Sequence, residues 1–126
     1  MDTTKPAAFS SSASELATIL LSEAAPLIID VRKNPAFIAS DYALPQAIRR
    51  DPAEIETWVD ELSKVHSVLV YCVHGHEVSQ NAMTTLRQHD IKAIYLEGGI
   101  ENWRSAGFPV LSKESRFTQT SNRKPA

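Results

Sequence analysis

The chain contains a single cysteine, Cys72. That excludes an intramolecular disulfide, a paired-cysteine redox couple and a multi-cysteine zinc site. Any disulfide or mixed-thiol state at Cys72 must be resolved by a second molecule. An excess of charge is also missing: 13 Lys+Arg stand against 15 Asp+Glu, a net charge of −2. No basic stripe with interleaved aromatics occurs, and Arg49-Arg50 is a pair, not a patch, so nucleic acid is not an expected partner. No apolar run approaches the ~18–20 residues of a membrane span. The N-terminal residues lack the apolar centre of a signal peptide. The expectation is a protein without a membrane partner, in a reducing cytoplasm.

With 126 residues, the chain can build one compact domain around its own core. Residues 1–8 read as a flexible leader and 112–126 as a disordered polar tail with little to bury, which leaves 9–111 as the domain. Ser12 or Ser14 can cap a helix reaching about Ser22, with Leu16, Ile19 and Leu20 at helical spacing. Leu27-Ile28-Ile29 is a short, fully apolar run ending at Asp30, as suits a parallel strand buried on both faces. Residues 33–51 read mostly as loop, with Phe37 on a short helical turn and Ala47-Ile48 as a brief strand. Asp51 and Pro52 open a helix as N-cap and first residue, and Ile55, Trp58, Val59 and Leu62 form its apolar face. A strand over Val65–Tyr71, a helix over Val78–Gln88 and a strand over Ile91–Leu96 follow. Gly98-Gly99 then makes a tight turn, and a short helix carrying Trp103 ends at Gly107-Phe108-Pro109. Alternating strands and helices define an α/β fold with a mostly parallel sheet. Its functional crevice belongs at the carboxyl ends of the strands, where Asp30, Cys72 and Glu97 are expected to point toward the same edge.

Tyr71-Cys72-Val73-His74-Gly75-His76-Glu77-Val78-Ser79 is the most informative stretch. It places the one thiol between a buried strand and a helix start. The N–H groups of a helix N-terminus are unpaired and partly positive. They stabilise a thiolate and any anion it attacks. Gly75 allows the sharp turn that lets several N–H groups converge on one point. His74 and His76 can bring positive charge or hydrogen bonds. Glu77 opposes an anionic substrate: at ~7 Å the penalty is roughly 0.6 kcal/mol with water-like screening and ~2.4 kcal/mol at an effective dielectric of 20. Ser79 reads as a first-turn residue. Asp30 and Arg32 read as a structural ion pair, Trp58 and Trp103 as core, and Arg49, Arg50 and Arg104 as cations that can reach the pocket rim. Cys72, His74, His76 and Glu77 are metal-ligand types, but so tight a loop does not converge them into a tetrahedron, and no metal or cofactor is expected.

These pieces together resemble the rhodanese family of sulfurtransferase domains. Asp30-Val31-Arg32 with Phe37, Leu44-Pro45-Gln46-Ala47, Tyr71-Cys72 with Gly75, Leu96-Glu97-Gly98-Gly99-Ile100, Trp103 and Gly107-Phe108-Pro109-Val110 occur in the family's order, over roughly residues 9–111. The resemblance implies a five-stranded sheet with helices on both faces and a six-residue active loop, Cys72 to Glu77. It implies that Cys72 takes a sulfane sulfur from a donor such as thiosulfate or a persulfide, and passes it to cyanide or an acceptor thiol. Cys72 is then catalytic, Val73, His74, Gly75, His76, Glu77 and Val78 bind substrate, and Asp30 and Arg32 support. A nest of loop N–H groups would hold the outer sulfur of the persulfide.

The sequence departs from the family where arginine often stands at the second and sixth loop positions, here Val73 and Glu77, and where Gln46 replaces a glycine. The loss of loop cations predicts that thiosulfate is a poor donor beside a less anionic or protein-borne one. A rhodanese-like binding or regulatory module with little catalysis is the alternative. Phosphatase or oxyanion-reductase chemistry is disfavoured by the short loop without a terminal arginine. Oligomeric state is not legible.

Overall fold

The structure is a computed structural model that describes residues 9–23, 25–62 and 67–113. The leader, the tail beyond Lys113, and Val65 and His66 of the third expected strand lie outside the described residues. In chain order the elements are β1 (Ser10–Ser11), α1 (Ala13–Ile19), β2 (Leu27–Asp30), α2 (Asn34–Ala39), β3 (Tyr42–Ala43), β4 (Ile48–Arg49), α3 (Ile55–Trp58), β5 (Val68–Tyr71), α4 (Glu77–Gln88), β6 (Ala93–Leu96), α5 (Gly99–Ser105) and β7 (Leu111–Ser112). Short 3-10 turns, Pro52–Glu54 and Val59–Leu62, flank α3.

Five strands form one parallel sheet in the order β1-β6-β5-β2-β4. Side chains alternate across it with period two. Ile29, Val31, Val68, Val70, Ala93 and Tyr95 face a core closed by Trp58, Val59 and Leu62 and by Ala82, Met83 and Leu86 of α4. Ile28, Leu69, Tyr71 and Leu96 face a second core closed by Ala13 and Leu16 of α1 and by Ile100 and Trp103 of α5. Burial on both faces explains why β2 and β5 read as unbroken apolar runs.

The capping choice at α1 falls on Ser12. Its Oγ accepts from Glu15 N at 3.1 Å, and the Glu15 carboxylate accepts from Ser12 N at 3.0 Å, a reciprocal capping box. The helix stops at Ile19, short of the expected Ser22. The fifth strand is Ser10–Ser11, which the sequence suggests only as capping residues. Two polar residues on a sheet edge carry no apolar pattern. The expected loop 33–51 contains α2, β3 and β4, all short. Gln46, standing where the family has glycine, has φ 69°, so the left-handed turn is kept without the residue that favours it. Ser112, assigned by sequence to the tail, pairs with Tyr42 in an antiparallel ladder of β3 and β7, and Lys113 donates to the carbonyl of Phe37.

Candidate active site around Cys72

β5 ends at Tyr71, Cys72 follows at the carboxyl edge, and the chain curls through Val73–His76 before α4 begins at Glu77. Gly75 makes the curl possible: its φ is 73°, and a Cβ there would lie 2.6 Å from Gly98 N and 2.7 Å from Leu96 O. Gly99 is constrained in the same way, since its Cβ would fall 2.4 Å from the carbonyl oxygens of Cys72 and Val73. Four carbonyls of the loop are spent. Cys72 O accepts from Ile100 N and Val73 O from Glu101 N, both at 3.0 Å. Gly75 O accepts from Gln80 Nε2 at 2.9 Å, and His76 O from Gln80 N at 3.1 Å. The donors are not spent. From Val73 to Ser79, no backbone N–H has a hydrogen-bond partner among the described residues. Free donors along a curled segment at a helix start can bind an anion.

Cys72 is 5% exposed. Its Sγ lies 3.2 Å from Oγ of Ser79, which is wholly buried in the first turn of α4. Among the described residues no backbone N–H meets hydrogen-bond geometry at Sγ itself, and the thiol's direct partner there is a hydroxyl seven residues away rather than the expected cup of amides. Cys72 lines a cavity of about 240 Å³. Its walls are Val73, His74, His76, Glu77 and Val78 of the loop and helix start, with Arg32, Lys33 and Ala36 from the β2–α2 connection. His74 and His76 are exposed, with ring centres 6.1 Å apart. Of the expected loop residues, only Gly75 is not in the wall; it packs back against the Leu96–Gly99 turn.

Asp30 and Arg32 form a buried pair at the end of β2. The Asp30 carboxylate accepts from Arg32 N, Nε and Nη2 (2.6 Å for Nη2) and from the Tyr71 hydroxyl at 3.0 Å. Arg32 Nη2 also donates to Tyr42 O, and Leu44 N donates to the Tyr71 hydroxyl. Burial alone would lower the Arg32 pKa, but hydrogen bonding and charge from Asp30, with Tyr71 behind them, outweigh it and raise it. Burial, then the charge of Asp30, pushes the Tyr71 phenol well above its ordinary range. Arg32 Nη1 has no hydrogen-bond partner among the described residues, although Arg32 lines the Cys72 cavity.

The rim cations differ from expectation. Arg49 donates to Arg32 O and stacks on Phe37, Arg50 pairs with Glu61, and Arg104 lies over Tyr42 near Glu101. None of the three lines the cavity. The cation at its rim is Lys33, which follows Asp30-Val31-Arg32 directly and precedes α2. No local pattern in the sequence marks it as a rim residue. Glu97 follows β6 at the carboxyl edge it shares with Asp30 and Cys72, but outside the Cys72 cavity, and its carboxylate accepts from Ser10 Oγ on the edge strand. Among the described residues, no three His, Cys, Asp or Glu side chains gather as a metal site, and no helix is long and apolar enough to cross a membrane.

A parallel α/β sheet carrying one cysteine in a curled loop at its carboxyl edge defines a class of cysteine-centred domains. The particular family follows from comparison: the rhodanese-like domain model matches residues 12–106, and the chain belongs to that family. The chain is 30% identical over 88 residues to a protein named sulfurtransferase from Allochromatium vinosum, covering 70% of this chain and 80% of that one. A rhodanese-related protein from Thermoplasma volcanium superposes with a TM-score of 0.70 at 25% identity, over 81% of this chain and 96% of the other. A rhodanese-like domain protein from Staphylococcus aureus shares the fold, with a TM-score of 0.69 at 24% identity, over 82% and 97%.

Proposed function

We propose that this chain is a sulfurtransferase of the thiosulfate type, working through a persulfide on Cys72. The Cys72 thiolate attacks the outer sulfur of a donor such as thiosulfate or a persulfide. The bond to that sulfur breaks, and sulfite or a thiolate leaves with the electron pair. A thiol or cyanide then takes the sulfur and returns Cys72 as thiolate. No cofactor takes part, and a reducing cytoplasm keeps the one thiol free. The observation that carries this reading is the Cys72 loop with four of its carbonyls bound and its N–H groups from Val73 to Ser79 unspent among the described residues, beside a cavity that Cys72 lines. In this reading those N–H groups hold the outer sulfur, Val73, His74, Gly75, His76, Glu77 and Val78 shape its surroundings, and Asp30 and Arg32 hold the wall. The Cys72–Ser79 contact supports Ser79 as a second group on the sulfur.

Intact-mass measurement after incubation with sulfur donors tests this. The expected result is a gain of one sulfur, about 32 Da, on the thiolate nucleophile, absent in Cys72→Ser. Equal gain in Cys72→Ser rejects the reading. A persulfide donor should load the protein faster than thiosulfate, because Glu77 faces the cavity and offsets Lys33. One observation favours the second reading, a sulfur-binding or regulatory module. Cys72 is nearly closed to solvent and already hydrogen-bonded. Loading without turnover to any acceptor supports that module.

A further inference from the structure

A second depression, of about 450 Å³, lies beside the Cys72 cavity. Lys33, Glu77 and Val78 line both. The two adjoin at these residues, the smaller against the sulfur and the broader between the Asp51–Ile55 turn and α4. Its floor is apolar, from Pro52, Ile55, Val78 and Ala82. The volume falls in the ~300–1,000 Å³ range of small-molecule sites.

The charges at the junction are opposite and unspent. Lys33 and Glu77 are both exposed, and neither side chain makes an ion pair or hydrogen bond among the described residues. Elsewhere on the surface, Arg50–Glu61 and His89–Glu56 close at 2.9 Å. Asp51, also in the groove, already accepts from Ala53 N. Two like charges on a ligand would meet one repulsive partner here, and an uncharged thiol would leave both unsatisfied. A ligand with one charge of each sign, joined by an apolar or amide stem, satisfies the pair and covers the floor.

We propose that this groove is the acceptor subsite and takes a small zwitterionic thiol of the amino-acid or dipeptide class, its carboxylate on Lys33 and its ammonium on Glu77. The proposal rests on the sulfur-transfer reading above. With the acceptor seated, its thiolate enters the cavity and attacks the outer sulfur of the Cys72 persulfide. The S–S bond breaks, its electron pair stays on Cys72 as thiolate, and the acceptor leaves as the persulfide.

The test separates loading from discharge. Protein loaded to the single-sulfur mass is mixed with cysteinylglycine, 3-mercaptopropionate, cysteamine or 2-mercaptoethanol, and loss of that mass is timed. Each acceptor's rate is taken relative to 2-mercaptoethanol with the same variant, which cancels intrinsic thiol reactivity. Lys33→Met should lower the relative rate about two- to fivefold for the two carboxylate-bearing thiols, and Glu77→Gln by a similar factor for the two ammonium-bearing ones, the range of exposed ion pairs. Cysteinylglycine alone should respond to both. Identical relative rates in both variants and the parent overturn the subsite while leaving sulfur transfer intact. Failure to load at all overturns the sulfur-transfer reading, and the subsite falls with it.

Discussion

Two corners of the same sheet edge treat polar groups in opposite ways. At the end of β2, the Asp30 carboxylate accepts from four donor atoms and locks Arg32 and Tyr71 around it, all essentially without solvent. At the end of β5, one strand away, the loop after Cys72 leaves its N–H groups without partners among the described residues. A satisfied buried network specifies geometry, and an unsatisfied run of donors awaits a ligand. In the proposed reading the first corner supports and the second carries the chemistry, and Arg32 and the loop face one cavity.

The sharpest way to break that contrast is to remove a charge from the supporting corner. Arg32→Met leaves Asp30 buried without its cation, and unfolding free energy should fall by about 3–5 kcal/mol in a urea titration. A variant of parental stability that fails to load sulfur would move Arg32 into the chemistry. Gly75→Ala tests the other corner. Its Cβ meets backbone atoms at 2.6 and 2.7 Å, and φ is positive, so neither neighbour can yield cheaply. A loss of about 1–3 kcal/mol is expected in the same titration.

Tyr71 gives a pH signature to the supporting corner. Its folded-state pKa is raised, so the folded chain keeps the phenolic proton where the unfolded chain loses it. The stability it contributes is present below the unfolded value of about 10 and is lost as pH rises beyond it, by about 1.4 kcal/mol at pH 11. Comparing urea midpoints at pH 9 and 11 for the parent and Tyr71→Phe isolates this slope from Tyr95, whose phenol is also raised. An equal alkaline loss in both proteins contradicts it. The smallest expected effect is at the thiol: Ser79→Ala removes the one hydrogen bond to Sγ and should slow persulfide loading about two- to tenfold, the worth of a single such bond. An unchanged loading rate would make Ser79 a packing residue.

The fold was legible where physics repeats a pattern. β2 and β5 announce themselves because both faces are buried, and α4 because Val78, Ala82 and Leu86 return every four residues. β1 was illegible because an edge strand of two serines needs no apolar pattern. Val73, His74, His76, Glu77 and Val78 were readable as cavity walls from their position beside the cysteine. Lys33 and Ser79 were not, since one depends on where α2 departs and the other on how tightly the loop winds.

The residues in order determined the α/β alternation, the single thiol and its place between strand and helix, because these depend on local pattern and composition. Tertiary structure alone decided which cation stands near the thiol, which hydroxyl touches it, and that a groove at the Asp51–Ile55 turn adjoins its cavity. The reason is distance along the chain. Contacts between segments tens of residues apart are set by packing of the two cores, and no local signal encodes them.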